Sequence, residues 1–531
     1  MDAILNLDEL EQTSTEVMLK AVIGAETLPD GLRLMVHRRT DGNALFNEEI
    51  GRRVAEKYKI TVNSGIATVV PPLSELRLPH SVRTLIRSRI ASLVDDEFDV
   101  LCLAAVIGLE FDARLIRLIS RVSGSLEILL DKLTKHGFIE PVLAGVSDRY
   151  RFNHVLTQEV MYETLLFSQR RLLHANVAHA VEQLFDGQLA EYYEDLAFHY
   201  RESKDIEKAI RYLTLSAHKA AKRQLIRHAI TQYNAAIELI DSLAVTEDSK
   251  RQRIDLSLFS GRLAAAHPSK EIYNILSTSL TYARSLDDDR RFAHVALNMG
   301  SVCLLSGRLD EAREHLLACI PVASAVGDEL TVAFAEGSFG QTLFYGADFS
   351  EAVNCSTRAI ESMGRLGSQS SLRILRTFLS LQHAAIGSFN SSEFLQRSLL
   401  EETIRIKQTL MEQVVRLWTS YRLLLQGDWV GAGMSCDVTV ELGAITQAEY
   451  IEGYARCGKC YALFMCDPSE IAVQEFQTGL DILGRGGIKL AMSLYHAAGA
   501  EIYALFGLLD CSREHIQKAL ECRNRKEYWG E

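Results

Sequence analysis

Apolar residues recur at helical spacing along most of the chain. Val82, Leu85, Ile86 and Ile90 fall on one face of a helix, and residues 100–107 are almost continuously apolar. Five of the eight prolines lie within residues 1–141, so the rest of the chain holds few helix breakers. The pattern predicts an all-α dominated protein whose short strands are confined to its first third.

Small residues recur every forty positions in the second half of the chain, in two columns twelve residues apart. The columns are Gly300, Gly340, Ser380, Ser420, Cys460 and Ala500, and Ala312, Ala352, Ser392, Ala432, Ala472 and Ser512. A bulky column lies between them at Leu309, Phe349, Phe389, Trp429 and Leu509, interrupted by Ser469. This pattern resembles tetratricopeptide (TPR) repeats, although the usual period is about 34. It predicts that residues 291–531 form six helical hairpins stacked into an α-solenoid.

The region before these repeats divides into three segments. Short helices and a hairpin at 60–70 are predicted for residues 1–77, with a capping box at 13–16 and a helix cap at Asp30. Three helices followed by two strands predict a winged-helix-like domain at residues 78–166. Residues 167–290 are predicted to form irregular TPR-like hairpins.

Charge and composition exclude several classes of protein. The 57 basic and 69 acidic residues give a net charge of −12, which argues against nucleic acid or an anionic membrane as the main partner. The charges on the helix at 126–137, which would contact DNA in a winged-helix protein, sum to zero. Arg83, Arg87 and Arg89 are interpreted as a solvated helix face. The start of the chain has no export signal, so we expect a cytoplasmic protein with reduced cysteines.

Three local patterns imitate chemical sites. Residues 453–460 come within one residue of a P-loop, but they fall in a helical repeat, so packing is the favoured interpretation. Cys457 and Cys460 form a CxxC pair without a second pair at zinc spacing. The acidic run at 95–97 follows no strand, which favours helix capping by Asp95 over Mg²⁺ binding. We therefore expect no catalytic residues, no metal site and no enzyme activity.

Three stretches in the first third resemble one family of signalling proteins. They are Asp-Gly-Asn-Ala-Leu-Phe-Asn-Glu-Glu at 41–49, Ala-Ala-Val-Ile-Gly-Leu-Glu-Phe at 104–111, and Phe-Asn-His-Val-Leu-Thr-Gln-Glu-Val-Met-Tyr at 152–162. In order and spacing they resemble the lid and winged-helix segments of the STAND branch of AAA-like ATPases, in which helical repeats follow. Some members are fused to class III adenylate or guanylate cyclases or to transcriptional regulators.

The resemblance implies a nucleotide-operated switch with a repeat arm that senses a partner. It makes residues 1–77 a lid remnant, and makes Gly42, Asn43 and His154 nucleotide-contacting residues. Ala44 stands where the family has proline, and the P-loop and Walker B segments are expected to be missing from this chain. We therefore expect no cofactor on its own, and ATP only if a P-loop domain is supplied.

The expected function is the non-catalytic regulatory part of such an ATPase. Its expected partners are a protein or peptide in the solenoid groove and, by resemblance, a P-loop ATPase or cyclase module. One alternative is a stand-alone TPR adaptor. A second is a transcriptional regulator that binds DNA through its winged helix, which the charge argues against.

Overall fold

The computed structural model describes most of the chain. The described ranges are 9–25, 27–28, 31–57, 59–63, 66–70, 81–120, 124–142, 148–223, 225–263, 269–446, 448–468, 470–485 and 489–522. They contain 26 α-helices and five short strands, and they form two compact units, Met1–Ala209 and Ile210–Glu531. The all-α dominated prediction is confirmed, whereas the division into four domains stays a prediction.

The first unit combines ten helices with two small antiparallel sheets. Its helices are α1 (Gln12–Ile23), α2 (Leu32–Thr40), α3 (Ala44–Lys57), α4 (Val82–Ile90), α5 (Asp95–Ile107), α6 (Ala113–Ile119), α7 (Leu126–Lys135), α8 (Val155–Thr164), α9 (Phe167–Leu184) and α10 (Tyr193–Ser203), with a 3-10 segment at Asp186–Tyr192. Its strands are β1 (Lys59–Asn63), β2 (Ile66–Val70), β3 (Glu110–Asp112), β4 (Ile139–Pro141) and β5 (Arg149–Phe152). Helix α11 (Ile206–Lys222) spans the boundary between the units.

The two sheets correspond to the predicted strands with one addition. β1 pairs with β2 in an antiparallel hairpin, as expected. β4 and β5 also pair, but β3 adds to the other side of β5, so that sheet has the order β3-β5-β4. The sequence did not reveal β3 because three residues are too few to show a period of two.

The predicted helix caps are partly wrong. The capping box at 13–16 lies inside α1, whose N-cap is Glu11 and makes no side-chain bond. Helix α5 begins at Asp95, so Asp95 lies in the acidic first turn and Val94 is the cap. At α6 the cap is Asp112, whose carboxylate accepts from the amide of Arg114 at 2.9 Å. The predicted cap at Asp30 lies outside the described residues.

The solvated-face interpretation of the α4 arginines is wrong for Arg89, whereas Arg87 is exposed. Arg89 is buried, and its Nη1 donates to the two carboxylate oxygens of Glu49 at 2.7 and 2.6 Å. Arg83 pairs with Glu159 and Glu163 of α8. The spacing of these arginines on one helix could not show that carboxylates on α3 and α8 face them.

The second unit consists of helices alone in its described residues. Three precede the periodic repeats: α12 (Ile226–Asp241), α13 (Glu247–Leu263) and α14 (Lys270–Ser285). The six hairpins are α15 (Asp289–Leu305) with α16 (Leu309–Ala325), α17 (Glu329–Tyr345) with α18 (Phe349–Arg365), α19 (Gln369–Ala385) with α20 (Phe389–Arg405), α21 (Thr409–Gln426) with α22 (Trp429–Thr446), α23 (Glu449–Cys466) with α24 (Glu470–Arg485), and α25 (Met492–Leu505) with α26 (Leu509–Glu521). The TPR-like solenoid is therefore confirmed.

The two small columns are the places where paired helices touch. A Cβ on Gly300 would lie only 2.6 Å from Cγ of Leu316, so α15 and α16 meet there without room for a methyl group. In the third hairpin the hydroxyl of Ser392 donates to the carbonyl of Ser380 at 2.7 Å. The bulky column opens the second helix of each hairpin where it is described, as Leu309 does for α16. Within the described ranges, no helix has the length and apolar character needed to cross a bilayer.

Candidate functional site

The first helices of the hairpins form the inner face of the solenoid. Helices α15, α17, α19, α21 and α23 each contact the first helix of the next hairpin, and the last of these contacts is that of α23 with α25. Helices that touch from one repeat to the next lie on the inside of a curved stack. Residues on their open side therefore face a groove, and these include Tyr421, Tyr461 and Glu501, each of which follows a member of the first small column.

The inner face holds an aromatic cavity of about 410 Å³ between α21, α23 and α25. We call it the aromatic pocket. Its walls are Leu417, Ser420, Tyr421, Leu424, Leu425, Trp429, Tyr454, Cys457, Gly458, Tyr461, Leu494, Tyr495, Ala497, Ala498 and Glu501. Tyr454 and Tyr495 stack with ring centroids 5.1 Å apart, and Trp429 meets Tyr461 edge-on at 6.1 Å. Such a lining is suited to an apolar or aromatic group, with few polar atoms to orient it.

The polar atoms of the pocket are arranged at its edges. The hydroxyl of Tyr461 donates to a carboxylate oxygen of Glu501 at 2.8 Å, and Glu501 is exposed. Burial, and then the hydrogen bond to this carboxylate, raise the pKa of Tyr461 to about 12. Burial also raises the pKa of the Cys457 thiol well above its usual range. The cysteine is thus a neutral apolar wall, and Glu501 supplies a negative charge at the rim.

Residues 489–495 comprise the three residues before α25 and the first turn of that helix. Leu490, Ala491 and Tyr495 belong to the same buried cluster as Leu304 and Tyr345, which lie in the first two hairpins. The hydroxyl of Tyr454 donates to the carbonyl of Leu490 at 2.6 Å. The groove between the early and the late hairpins is therefore occupied by the chain itself, whereas the aromatic pocket, which shares Leu494 and Tyr495 with these residues, is open.

The three residues assigned by resemblance to nucleotide binding have local roles in the first unit. Gly42 has φ of +75°, and a Cβ there would lie 2.6 Å from the carbonyl of Leu10. Asn43 accepts from the amide of Phe46 at 2.9 Å at the start of α3. His154 is the N-cap of α8, where its Nδ1 accepts from the amide of Leu156 at 3.1 Å. Helix capping and a tight turn account for the contacts of all three, and their nucleotide role stays a prediction.

The P-loop-like residues lie within helix α23. Their lysine, Lys459, pairs with Asp437 at 2.7 Å. Cys457 and Cys460 are buried as free thiols in the contact between helices. In the described part of the chain, histidine, cysteine and carboxylate side chains form no group of three that could hold a metal. Packing is the role that the structure gives this stretch.

Comparison with known proteins agrees with the repeat architecture. Residues 291–363 match the tetratricopeptide repeat family. The kinesin light chain-related protein 3 of Arabidopsis thaliana is 24% identical over 222 residues, which cover 40% of this chain and 31% of that protein. The chain thus spans about a third of this relative's length.

Solved structures with similar folds are more distant. A STAND protein with a TPR sensor from Pyrococcus horikoshii has a TM-score of 0.47 and 11% identity, covering 98% of this chain and 73% of that chain. A Rap protein complexed with competence and sporulation factor has a TM-score of 0.45 and 12% identity, covering 63% of this chain and 93% of that chain.

The sequence did not identify the residues of the aromatic pocket as binding residues, and Ser420, Trp429 and Cys457 stood out there for other reasons. The TPR-like period nevertheless contains a signal for the pocket. The position after each small residue of the first column is Ser301, Gln341, Leu381, Tyr421, Tyr461 and Glu501. Tyrosine occupies this position in the fourth and fifth repeats alone of the six, which marks them as unusual. The contribution of Tyr495 could not be found in this way because it belongs to no column.

Proposed function

We propose that this chain binds a protein or peptide segment through the aromatic pocket of its TPR-like solenoid. The observation that carries this function is an open cavity walled by Tyr421, Tyr461 and Trp429 on the inner face. Helical-repeat proteins use such inner surfaces for binding, and aromatic anchors supply much of the binding energy at protein interfaces. Glu501 at the rim favours a segment with a basic residue beside an apolar one.

A pair of variants tests this function. Peptides selected from a random display library for binding to the full chain are the probe, and intrinsic tryptophan fluorescence is the readout. Leu424→Glu places a charge in the pocket and should weaken binding at least tenfold. Val430→Glu places the same charge on α22, where Val430 is 67% exposed, and should leave binding unchanged. Equal binding by both variants would exclude the pocket as the binding site.

We further propose that the chain is the regulatory, non-catalytic part of a STAND-type signalling ATPase. The support is the order of the three motif-like stretches before the repeats. In this proposal a P-loop ATPase or cyclase module is a second partner, and Gly42, Asn43 and His154 face its nucleotide.

Thermal unfolding with such a module and ATP tests the second proposal. A ligand that binds only the folded state raises the melting temperature. His154→Asn keeps a side chain able to cap α8 but removes the imidazole, so it should abolish the increase without unfolding the protein. An increase that survives this substitution would remove His154 from the proposed site.

A stand-alone TPR adaptor is the alternative. It is favoured by the local capping roles of Asn43 and His154, which need no nucleotide. In that case ATP and the P-loop module should leave the melting temperature unchanged. DNA binding gains no such support, because Lys132 and Lys135 of α7 pair with Glu97 and Asp131.

A further inference from the structure

We propose that residues 489–495, which are the three residues before α25 together with the first turn of that helix, are a built-in, displaceable occupant of the groove, and that a partner segment of similar chemistry competes with them. We call these residues the internal segment. The inference rests on the proposed peptide-binding function and deepens it, because it names both what must leave the groove and what kind of segment replaces it.

The internal segment makes contacts of the kind expected of a bound peptide. Leu490 and Ala491 are 5% and 2% exposed, and they are buried together with groove residues such as Leu304 and Tyr345. The hydroxyl of Tyr454 donates a hydrogen bond to the main-chain carbonyl of Leu490 at 2.6 Å. Apolar side chains and one main-chain carbonyl are thus the features that the groove recognises.

The far end of the internal segment rests on a turn between α15 and α16. The amide of Lys489 lies 3.5 Å from the carbonyl of Leu305, which is a long hydrogen bond. The turn itself has Gly307 at φ of +70°, and a Cβ there would lie 3.1 Å from the carbonyl oxygen of Lys489. The absence of a side chain at Gly307 therefore lets the segment approach the first hairpin.

The contact between the internal segment and the early hairpins, which we call the closure, has features that favour its opening. Ala491 has φ of +60°, a left-handed conformation that costs energy for a residue with a Cβ. The ion pair of Arg227 in α12 with Glu449 at the start of α23, at 2.8 Å, joins side chains that are 63% and 45% exposed. Exposed ion pairs contribute little to stability. Because the closure contains a strained residue and a long hydrogen bond, and the ion pair of Arg227 with Glu449 is solvated, the free energy of opening the closure is small compared with that of unfolding the solenoid.

The sequence of the internal segment defines the partner. It reads Lys-Leu-Ala-Met-Ser-Leu-Tyr, a basic residue followed by three apolar ones. A competing segment needs consecutive apolar side chains and a free carbonyl for Tyr454. Because apparent affinity falls with the fraction of binding-competent molecules, closure weakens partner binding in proportion to the closed population.

Hydrogen exchange of the full chain tests the closure directly. Gly307→Asn directs a Cβ at Lys489, whereas Gly327→Asn is the matched control, because Gly327 has the same φ of +70° with no atom within 4 Å of the added Cβ. Amides of residues 489–495 should exchange about tenfold faster in Gly307→Asn than in the control. Equal exchange in the two variants would overturn the proposal.

A second pair of variants covers the case in which Gly307→Asn does not fold. Tyr454→Phe removes the donor to the Leu490 carbonyl, while Tyr461→Phe removes a hydroxyl that reaches only the exposed Glu501. Faster exchange of the internal segment should appear in Tyr454→Phe alone. Equal rates in the two tyrosine variants would contradict the assigned contact.

A synthetic peptide of residues 489–496 with a fluorescent label separates this inference from the proposed function. It should bind Gly307→Asn about tenfold more tightly than Gly327→Asn, because more molecules are open. Faster exchange at 489–495 without tighter peptide binding would support a mobile closure but overturn competition for the groove. Selected library peptides that still lose affinity in Leu424→Glu would then keep the aromatic pocket as a binding site.

Discussion

A buried pair of histidines in the first unit should make stability depend on pH. His174 of α9 and His199 of α10 are 1% and 3% exposed, and their Nδ1 atoms lie 2.8 Å apart. Nε2 of His174 is 2.9 Å from the hydroxyl of Tyr162. Burial lowers the pKa of His174 to about 4 and, with the neighbouring imidazole, lowers that of His199 to about 3. Both side chains are therefore neutral in the folded protein at pH 5.5.

The sign and size of the effect follow from proton linkage. In the unfolded chain each imidazole has its ordinary pKa of 6.5, so between pH 6.5 and 4 the unfolded state binds more protons than the folded state. Stability is present above pH 6.5 and is lost as the pH falls. At pH 5.5 each imidazole costs about 1.4 kcal/mol, or about 3 kcal/mol for the pair. Since both folded pKa values lie well below 5.5, the size of this loss of stability depends on the pKa of 6.5 in the unfolded chain.

Urea unfolding of the full chain between pH 7.5 and 5.5 measures this loss. The double variant His174→Gln, His199→Leu removes both titrating groups and keeps an amide near Tyr162. Between pH 7.5 and 5.5, the drop in the free energy of unfolding should be about 3 kcal/mol smaller in this variant than in the wild type. The control His179→Gln removes an imidazole whose side chain is 60% exposed on the same helix. A pH dependence of the double variant equal to that of wild type would refute the assignment of buried neutral histidines.

Two further substitutions test the packing of the two units. Glu49→Ala leaves the buried guanidinium of α4 without its counter-charge and should cost about 3–5 kcal/mol in urea unfolding, whereas Glu48→Ala, in a half-exposed pair, should cost under about 1 kcal/mol. Equal losses would contradict the buried pair. Gly300→Ala drives a methyl group against Leu316 and should lower the melting temperature, while Gly364→Ala, in α18 with open space around it, should raise stability by up to about 1 kcal/mol. A stabilised Gly300→Ala would show that α15 and α16 are not in close contact.

Several features of the first unit could be read from the sequence only in part. The run at 100–107 became the buried body of α5, because continuous apolar residues leave no face for solvent. The cap at Asp112 was predictable since capping depends on neighbours along the chain. The ion pair of Arg89 with Glu49 was not predictable, because the partners lie on different helices and either could have faced solvent.

The helical hairpins and their stacking are encoded in the amino-acid pattern of each repeat. Small residues such as Gly340 and Ala352 recur at a fixed step, and close helix packing needs a small side chain wherever two backbones meet. That requirement is local to each repeat, so it is visible in one sequence. The bulky residues that open the second helices, such as Phe349, are local in the same sense.

The contacts across the inner face, by contrast, depend on the assembled solenoid. Tyr345 of the second repeat and Tyr495 of the last share one buried cluster, and Lys489 reaches the turn at Gly307. Such contacts depend on the curvature that accumulates from a small rotation in each repeat. No single repeat encodes that sum, so the groove, its internal segment and the aromatic pocket emerge only when all six hairpins are assembled.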